Sequence, residues 1–270
     1  MSYQLKQRIY TELRGRIGNN LFQMAAAMSL GRRMGADVIG IISSGYIVPS
    51  SECNKLSDYL VPFKGTILRN CHLSERMPIK YQRYTEPFFN YSALPQINRI
   101  LLSGYFQSEK YFDESLVRQT YAIPDEISKK LRKRYGNLLA LKPASINVRR
   151  GDFLNVQDFH PVCKLDYFLA GIEFLGKKRH YIVTSDDPDW CKQYFRAGNL
   201  HVVDDVTPVE NLYLQSLCYD HIISNSTFSW WGAWLDDKKE KAVIAPCMWF
   251  GPKLSHLDTK DLLPSSWIKL

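Results

Sequence analysis

The hydrophobic pattern divides this chain into a short ordered opening, an irregular middle and a strongly patterned second half. Residues 8–13 read as a strand, residues 15–18 as a glycine-bearing turn, and residues 19–34 as a helix, with Leu21, Met24, Ala25 and Met28 recurring on one face. A second strand is predicted at 36–42. Periodicity is then lost through 43–102, where Pro49, Pro62, Pro78, Pro87 and Pro95 interrupt any long element, so this stretch reads as loop-rich. From residue 144 onward, short apolar β-branched runs at 145–148, 180–184, 200–203, 221–224 and 242–245 alternate with helical patterns at 164–175, 188–195, 208–218 and 228–235. Each connection is long enough for a right-handed crossover, so the pattern predicts an α/β fold with a parallel sheet covered by helices on both faces. The seam between two domains is expected within 136–143.

In open parallel sheets ligands bind outside the carboxyl ends of the strands, so the residues after each predicted strand carry the chemistry. Here they are Arg149, Arg150, Gly151 and Asp152, then Ser185, Asp186 and Asp187, then Asp204 and Asp205, then Asn225, Ser226 and Thr227. Basic, acidic and hydroxyl groups are thereby expected on one rim.

Composition narrows the partners. The 270 residues are 45% hydrophobic and 23% charged, which is ordinary for a folded globular protein. The formal charge of +8 admits nucleic acid, a membrane surface or a phosphorylated small molecule as an anionic partner. Much of the excess lies in Lys129, Lys130, Arg132, Lys133 and Arg134, where Ile127, Leu131 and Tyr135 repeat at helical spacing, and this run reads as a solvated helix face. It lacks interleaved aromatic residues and no nucleic-acid motif occurs, so nucleic acid is not an expected partner. The six cysteines (Cys53, Cys71, Cys163, Cys191, Cys218 and Cys247) have neither metal-site nor C-x-x-C spacing, and no zinc site is expected. No window approaches the ~18 apolar residues of a membrane span and no signal peptide is evident, so reduced thiols and a cytoplasmic location are expected.

Four segments carry chemistry. In Asn147-Val148-Arg149-Arg150-Gly151-Asp152 two guanidiniums end a buried strand, where one can fork onto phosphate oxygens or, alternatively, both can pair with Asp152 or Asp186 and brace the loop. The carboxylates after Tyr181-Ile182-Val183-Thr184-Ser185 can bind a guanine edge or a ribose hydroxyl, or Ser185 or Asp186 can cap the helix beginning near Pro188. An acidic pair can also hold Mg²⁺, although its neighbouring arginines argue against a metal. The run from Ile223 through Asn225, Ser226 and Thr227 opens the next helix, a natural diphosphate site, while Trp231 and Trp234 read as core. The turn Arg14-Gly15-Arg16-Ile17-Gly18-Asn19-Asn20-Leu21-Phe22-Gln23 has neither dinucleotide-binding nor Walker spacing.

Together the four segments resemble the signature of the α1,2-fucosyltransferases of glycosyltransferase family 11. The N-terminal turn is similar to the family's G-G-x-G-N-Q-x-F-Q-x-A, residues 147–152 to its H-x-R-R-G-D, residues 184–187 to its serine and acidic segment, and residues 225–235 to its N-S-S/T-F-S-W-W-x-A-W-L; Leu102 to Phe112 also matches a family segment. The resemblance implies a GT-B-like fold of two Rossmann-like halves with parallel sheets covered by helices, residues 1–140 forming an acceptor-side domain and 141–270 a GDP-fucose-binding domain. It further implies inverting, metal-independent transfer of L-fucose from GDP-β-L-fucose to the 2-hydroxyl of a galactose residue in a glycan. No cofactor is expected. Arg150 first and Arg149 second are assigned to the β-phosphate, with Ser185, Asp186, Asn225, Ser226, Thr227, Gly18 and Asn19 also on the donor. Asp152 is the candidate base or else the arginine brace, and Asn20, Gln23 and Asn147 are assigned to the acceptor side.

Two departures stand out. Asn147 occupies the place of the family's histidine and cannot take a proton at neutral pH. Arg14 and Asn20 replace a glycine and a glutamine in the first segment. The rival reading is a GDP-sugar- or glycan-binding protein of the same fold with impaired turnover, and a milder one changes linkage or donor. A peripheral contact with an anionic membrane surface is also expected.

Overall fold

The computed structural model describes residues 7–42 and 56–270. Cys53, Pro49 and the first six residues lie outside the described residues. Two compact units divide the chain, Met1–Ala122 with Leu257–Pro264 and Ile123–His256 with Ser265–Leu270. The division falls between Ala122 and Ile123 rather than after residue 140, so the helix Asp125–Ala140 belongs wholly to the second unit.

In the first unit β1 (Arg8–Leu13) leads through a turn into α1 (Ile17–Met34), which is followed by β2 (Asp37–Ile42). Gly35 closes α1 at φ 62°, a left-handed cap that suits glycine, and its N–H returns to the last turn. The middle stretch, expected to be loop-rich, holds two single-turn helices, α2 (Leu56–Tyr59) and α3 (Val61–Lys64), and three strands, β3 (Leu73–Ser74), β4 (Gln82–Thr85) and β5 (Ile100–Ser103). All five strands are parallel, in the order β3-β2-β1-β5-β4. α1 covers one face, where Ala26, Ala27 and Leu30 meet Ile9, Ile100 and Leu102. The small α4 (Glu114–Thr120), capped by Asp113, completes the N-terminal part of the unit.

The second unit opens on α5 (Asp125–Ala140), whose basic residues are exposed while Leu131 is buried, as the pattern predicts. Lys130 pairs with Glu210 and Arg134 with Asp205, so part of this charge is neutralised locally. Alternating elements follow: β6 (Ala144–Val148), α6 (Leu165–Leu175), β7 (Tyr181–Ser185), α7 (Pro188–Tyr194), β8 (Leu200–Val203), α8 (Pro208–Ser216), β9 (Asp220–Ile223), α9 (Thr227–Trp234), β10 (Val243–Ala245) and β11 (Ile268–Lys269). The six strands are all parallel, in the order β11-β10-β9-β6-β7-β8. The first strand of this sheet therefore sits beside the fourth, and the winding reverses between β6 and β9. On one face Ile146, Val148, Val183 and Ile222 pack against Phe168 and Ile172 of α6. On the other, Ser145 Oγ meets His221 Nδ1 at 2.8 Å and His221 Nε2 meets Asp236 at 3.0 Å, just beyond α9. Trp230 and Trp231 are fully buried, so the tryptophans of α9 are core.

Candidate active site

The reversal between β6 and β9 sets two turns side by side at the carboxyl ends of the strands, where doubly wound sheets bind ligands. Arg149 N–H donates to Ser224 Oγ at 3.0 Å, and that hydroxyl donates to the Asn147 carbonyl at 2.6 Å. One serine thus stitches the turn after β6 to the turn after β9. The side chain of Asn147 does not reach the rim: it is buried, and its amide donates to Thr184 Oγ1 at 2.9 Å across the sheet. The acceptor-side role expected of Asn147 thus meets a side chain enclosed between β6 and β7, with Thr184 its register partner.

The two arginines are held differently. Both terminal nitrogens of Arg149 are engaged, one by Asp186 at 2.6 Å and the other by Asp152, and its guanidinium lies 4.8 Å from the ring centre of Phe153. Arg150 donates only Nε to a carboxylate, to Asp187 at 3.0 Å, and its guanidinium lies 4.3 Å from the centre of the Trp190 ring. Among the described residues neither terminal nitrogen of Arg150 has a hydrogen-bond partner, which leaves a two-pronged donor for a planar or tetrahedral oxyanion. The bracing arrangement weighed from the sequence therefore describes Arg149, and the anion-binding one suits Arg150.

Asp186 also accepts the Arg150 backbone N–H at 2.8 Å, so it holds the turn. A Cβ at Gly151 would run into the Asp186 carboxylate; here glycine is required for space, and its φ is not positive. Ser185 donates to the Val148 carbonyl at 2.9 Å and accepts the Asp187 N–H at 2.9 Å. The cap of α7 is Asp187, one or two residues after the positions expected, and it accepts the Trp190 N–H at 3.2 Å.

At the opening of α9, Ser226 is the N-cap and accepts the Phe228 N–H at 3.3 Å. Asn225 is buried, and its amide bridges the Pro161 and Trp249 carbonyls at 2.9 and 3.0 Å. Its side chain is a strut between three loops, and of the two hydroxyls that follow Ser226 is buried and Thr227 half-exposed. His160 stacks on Phe153, the ring that also carries Arg149, and burial lowers its pKa against the raising influence of Asp152. Burial pushes the neighbouring thiols up, Cys163 to about 11 and Cys191 to about 12, so neither is an ionised nucleophile near neutral pH. Among the described residues no group of three or more His, Cys, Asp or Glu is arranged to hold a metal ion, and no helix is long and apolar enough to cross a membrane.

Gly18, Asn19, Asn20 and Gln23 belong to the first unit, near the carboxyl end of β1. Gln23 accepts the Arg14 N–H at 3.0 Å and donates to the Gly104 carbonyl at 3.0 Å, tying the turn after β1 to the turn after β5. Asn20 donates to the Arg14 carbonyl at 2.9 Å; Gln23 and Asn20 are both fully buried. Asn19 is half-buried and accepts from Gln107 at 3.0 Å. Gly15 has φ 76° and no room for a Cβ beside Asn19. On the same rim Glu12 accepts from Arg14, Arg83 and Ser103 at 2.5, 3.1 and 2.9 Å. Burial works against its charge, but Ser103 and the two guanidiniums outweigh it and hold the pKa below the usual range. Glu86 accepts the Tyr105 and Phe106 N–H groups at 2.7 and 3.0 Å, and burial pushes its pKa up to about 7.

The sequence as a whole fits one family model, Glycosyl transferase family 11, over residues 1–269. The chain belongs to glycosyltransferase family 11. Among curated relatives of this family 11 chain, an Alpha-1,2-colitosyltransferase of Escherichia coli is 31% identical over 62% of this chain and 61% of its own length. The O-antigen biosynthesis glycosyltransferase WbnK, also of Escherichia coli, is 27% identical over 97% of this chain and 100% of its own. Human galactoside alpha-(1,2)-fucosyltransferase 1 is 22% identical over 82% of this chain and 63% of its own. The fold matches solved fucosyltransferases at low identity: NodZ α-1,6-fucosyltransferase soaked with GDP-fucose, at TM-score 0.55 and 12% identity over 86% of this chain and 93% of that one, and POFUT1 in complex with GDP-fucose, at 0.57 and 12% over 88% and 98%. The expected GT-B architecture of two parallel, helix-flanked sheets is therefore the observed one.

In this family 11 chain the sequence singled out the arginine turn and the α9 opening but passed over Ser224, Trp190, Phe153 and His160 of the second unit and, separately, Glu86 of the first. Ser224 lies in the run that begins at Ile223, and its place at a strand end was the available signal. Trp190 and Phe153 gave none, because their role is to lie under arginines that come from elsewhere in the sequence or the same turn.

Proposed function

We propose that this family 11 glycosyltransferase moves L-fucose from GDP-β-L-fucose to the 2-hydroxyl of a galactose residue in a glycan, with inversion and without a metal. The observation that carries the reading is Arg150, whose terminal nitrogens have no hydrogen-bond partner among the described residues, at the point where the second sheet reverses. In the transfer the bond from the fucose anomeric carbon to the β-phosphate oxygen breaks, and the acceptor oxygen bonds to that carbon from the opposite face. The electron pair leaves with GDP, and the acceptor proton passes to a base or to solvent. Charge builds on the β-phosphate, and a preorganised guanidinium stabilises it more than the ground state. Arg149, braced by Asp152 and Asp186, keeps the turn rigid, and Asp152 acts through that arginine.

Colitosyl transfer is the second reading, favoured by the similarity to an Alpha-1,2-colitosyltransferase. The test measures GDP release with EDTA present, offering GDP-fucose and GDP-colitose in parallel to galactose-terminated acceptors, with a no-acceptor control. Acceptor-dependent release and an α1,2 linkage by NMR are expected with GDP-fucose. Faster release from GDP-colitose would move the donor assignment, and tight donor binding without release across the acceptors would favour a binding protein.

A further inference from the structure

The first unit carries a second basic surface that the transfer reaction does not use. Arg8, Arg76 and Arg99 line a shallow cavity of about 250 Å³ together with Met77, Pro78 and Ile79. Unlike the basic run of α5, these three guanidiniums pair with no carboxylate among the described residues; Arg99 donates Nε to the Lys80 carbonyl at 2.9 Å instead. Glu75 is the neighbouring acid in sequence, exposed and unpaired with any of them. Beside the cations the chain presents apolar side chains to water: Ile79 is 95% exposed, Met77 45% and Tyr81 37%. A side chain as apolar as isoleucine gains nothing from full hydration, and its neighbours in sequence are a proline and a lysine.

We infer that this surface docks the protein on an anionic lipid bilayer, with Arg8, Arg76, Lys80 and Arg99 over the headgroup phosphates and Ile79 and Met77 in the outer hydrocarbon. Cations alone would suit any anion, and apolar residues alone any apolar partner. Their interleaving, with the apolar tip outermost and the cations around it, matches the layered chemistry of a membrane interface. No helix insertion is involved, and binding is reversible and weakened by salt. The inference is independent of the donor and acceptor assignments.

Sedimentation of the full chain with phosphatidylcholine vesicles, with and without phosphatidylglycerol, tests it. Binding is expected only with phosphatidylglycerol. Ile79→Asp and Arg76→Glu are both exposed substitutions that should leave circular dichroism and the melting midpoint unchanged, and each should lower the partition coefficient roughly tenfold or more. Inorganic phosphate should displace the protein no better than chloride at equal ionic strength. Equal sedimentation with neutral vesicles, full binding by Ile79→Asp, a wild-type chain that stays in the supernatant, or specific displacement by phosphate would each overturn the inference.

Discussion

Arg149 and Arg150 are adjacent in sequence but held differently, and the difference lies in how many of their donors the protein already occupies. Arg150→Ala should lower kcat/KM for the donor at least tenfold, because a charge-assisted contact to phosphate is worth ~1.5–3 kcal/mol. Arg150→Lys should recover little of that loss, since an ammonium cannot reproduce the two-pronged fork that lies over the Trp190 ring. Steady-state GDP-release kinetics on folded variants check both, and unchanged kinetics in the alanine variant would remove Arg150 from the site. Asp152→Asn should act through Arg149, raising the donor KM several-fold. A fall in kcat at constant donor KM would instead make Asp152 the base. That two guanidiniums end this strand was readable from residues 147–152; how many donors of each are occupied was not, because Asp186 and Asp187 reach Arg149 and Arg150 from the turn after another strand. Likewise Asn147, Asn225 and Gln23 read as polar groups near a ligand, yet burial turns each into a hydrogen-bonded strut.

Among elements, the central strands β6, β7 and β9 of the second unit were legible because each carries a short buried apolar stretch ahead of turn residues, whereas the two-residue edge strand β11 was not. The first unit's middle strands were not. β3 has two residues, and β4 is largely exposed, so neither displays a period. β5 is fully buried but only four residues long, between Arg99 at φ 59° and Gly104. Helix contacts are similarly invisible in sequence, as α8 and α9 illustrate. A Cβ on Gly232 would press on the Gln215 side chain, including its own Cβ, so the two helices approach closely at that glycine. Gly232→Ala is therefore expected to destabilise the protein by roughly 1–3 kcal/mol through overpacking. Gln215→Ala in the same chain should return part of that loss, because it removes the obstructing amide end of the side chain and leaves only the Cβ. Urea unfolding midpoints of the two single variants and the double variant measure the coupling, and strict additivity would contradict the contact.

For the whole molecule, the two units carry titratable groups that respond to pH in opposite directions. In the first, burial raises Glu86 from 4.5 to about 7, so the folded unit holds this proton more tightly than the unfolded chain does. Its stability is full below the unfolded value and declines as pH rises through about 7, by up to roughly 3 kcal/mol. In the second unit burial lowers the pKa of His160, His201 and His221, so each takes up a proton less readily in the folded unit than in the unfolded chain. That stability is present above the ordinary histidine value of 6.5 and is lost as pH falls below it. All six tryptophans (Trp190, Trp230, Trp231, Trp234, Trp249 and Trp267) belong to the second unit, so indole emission reports that unit alone. On lowering the pH from above 7 towards 5, the melting midpoint seen by tryptophan emission should fall. A transition seen only by far-ultraviolet circular dichroism, belonging to the first unit, should rise over the same range. Glu86→Gln should flatten the second dependence and leave the first untouched. Coincident emission and dichroism transitions at every pH would mean instead that the units unfold as one cooperative body, with their opposing proton linkages summed in a single midpoint.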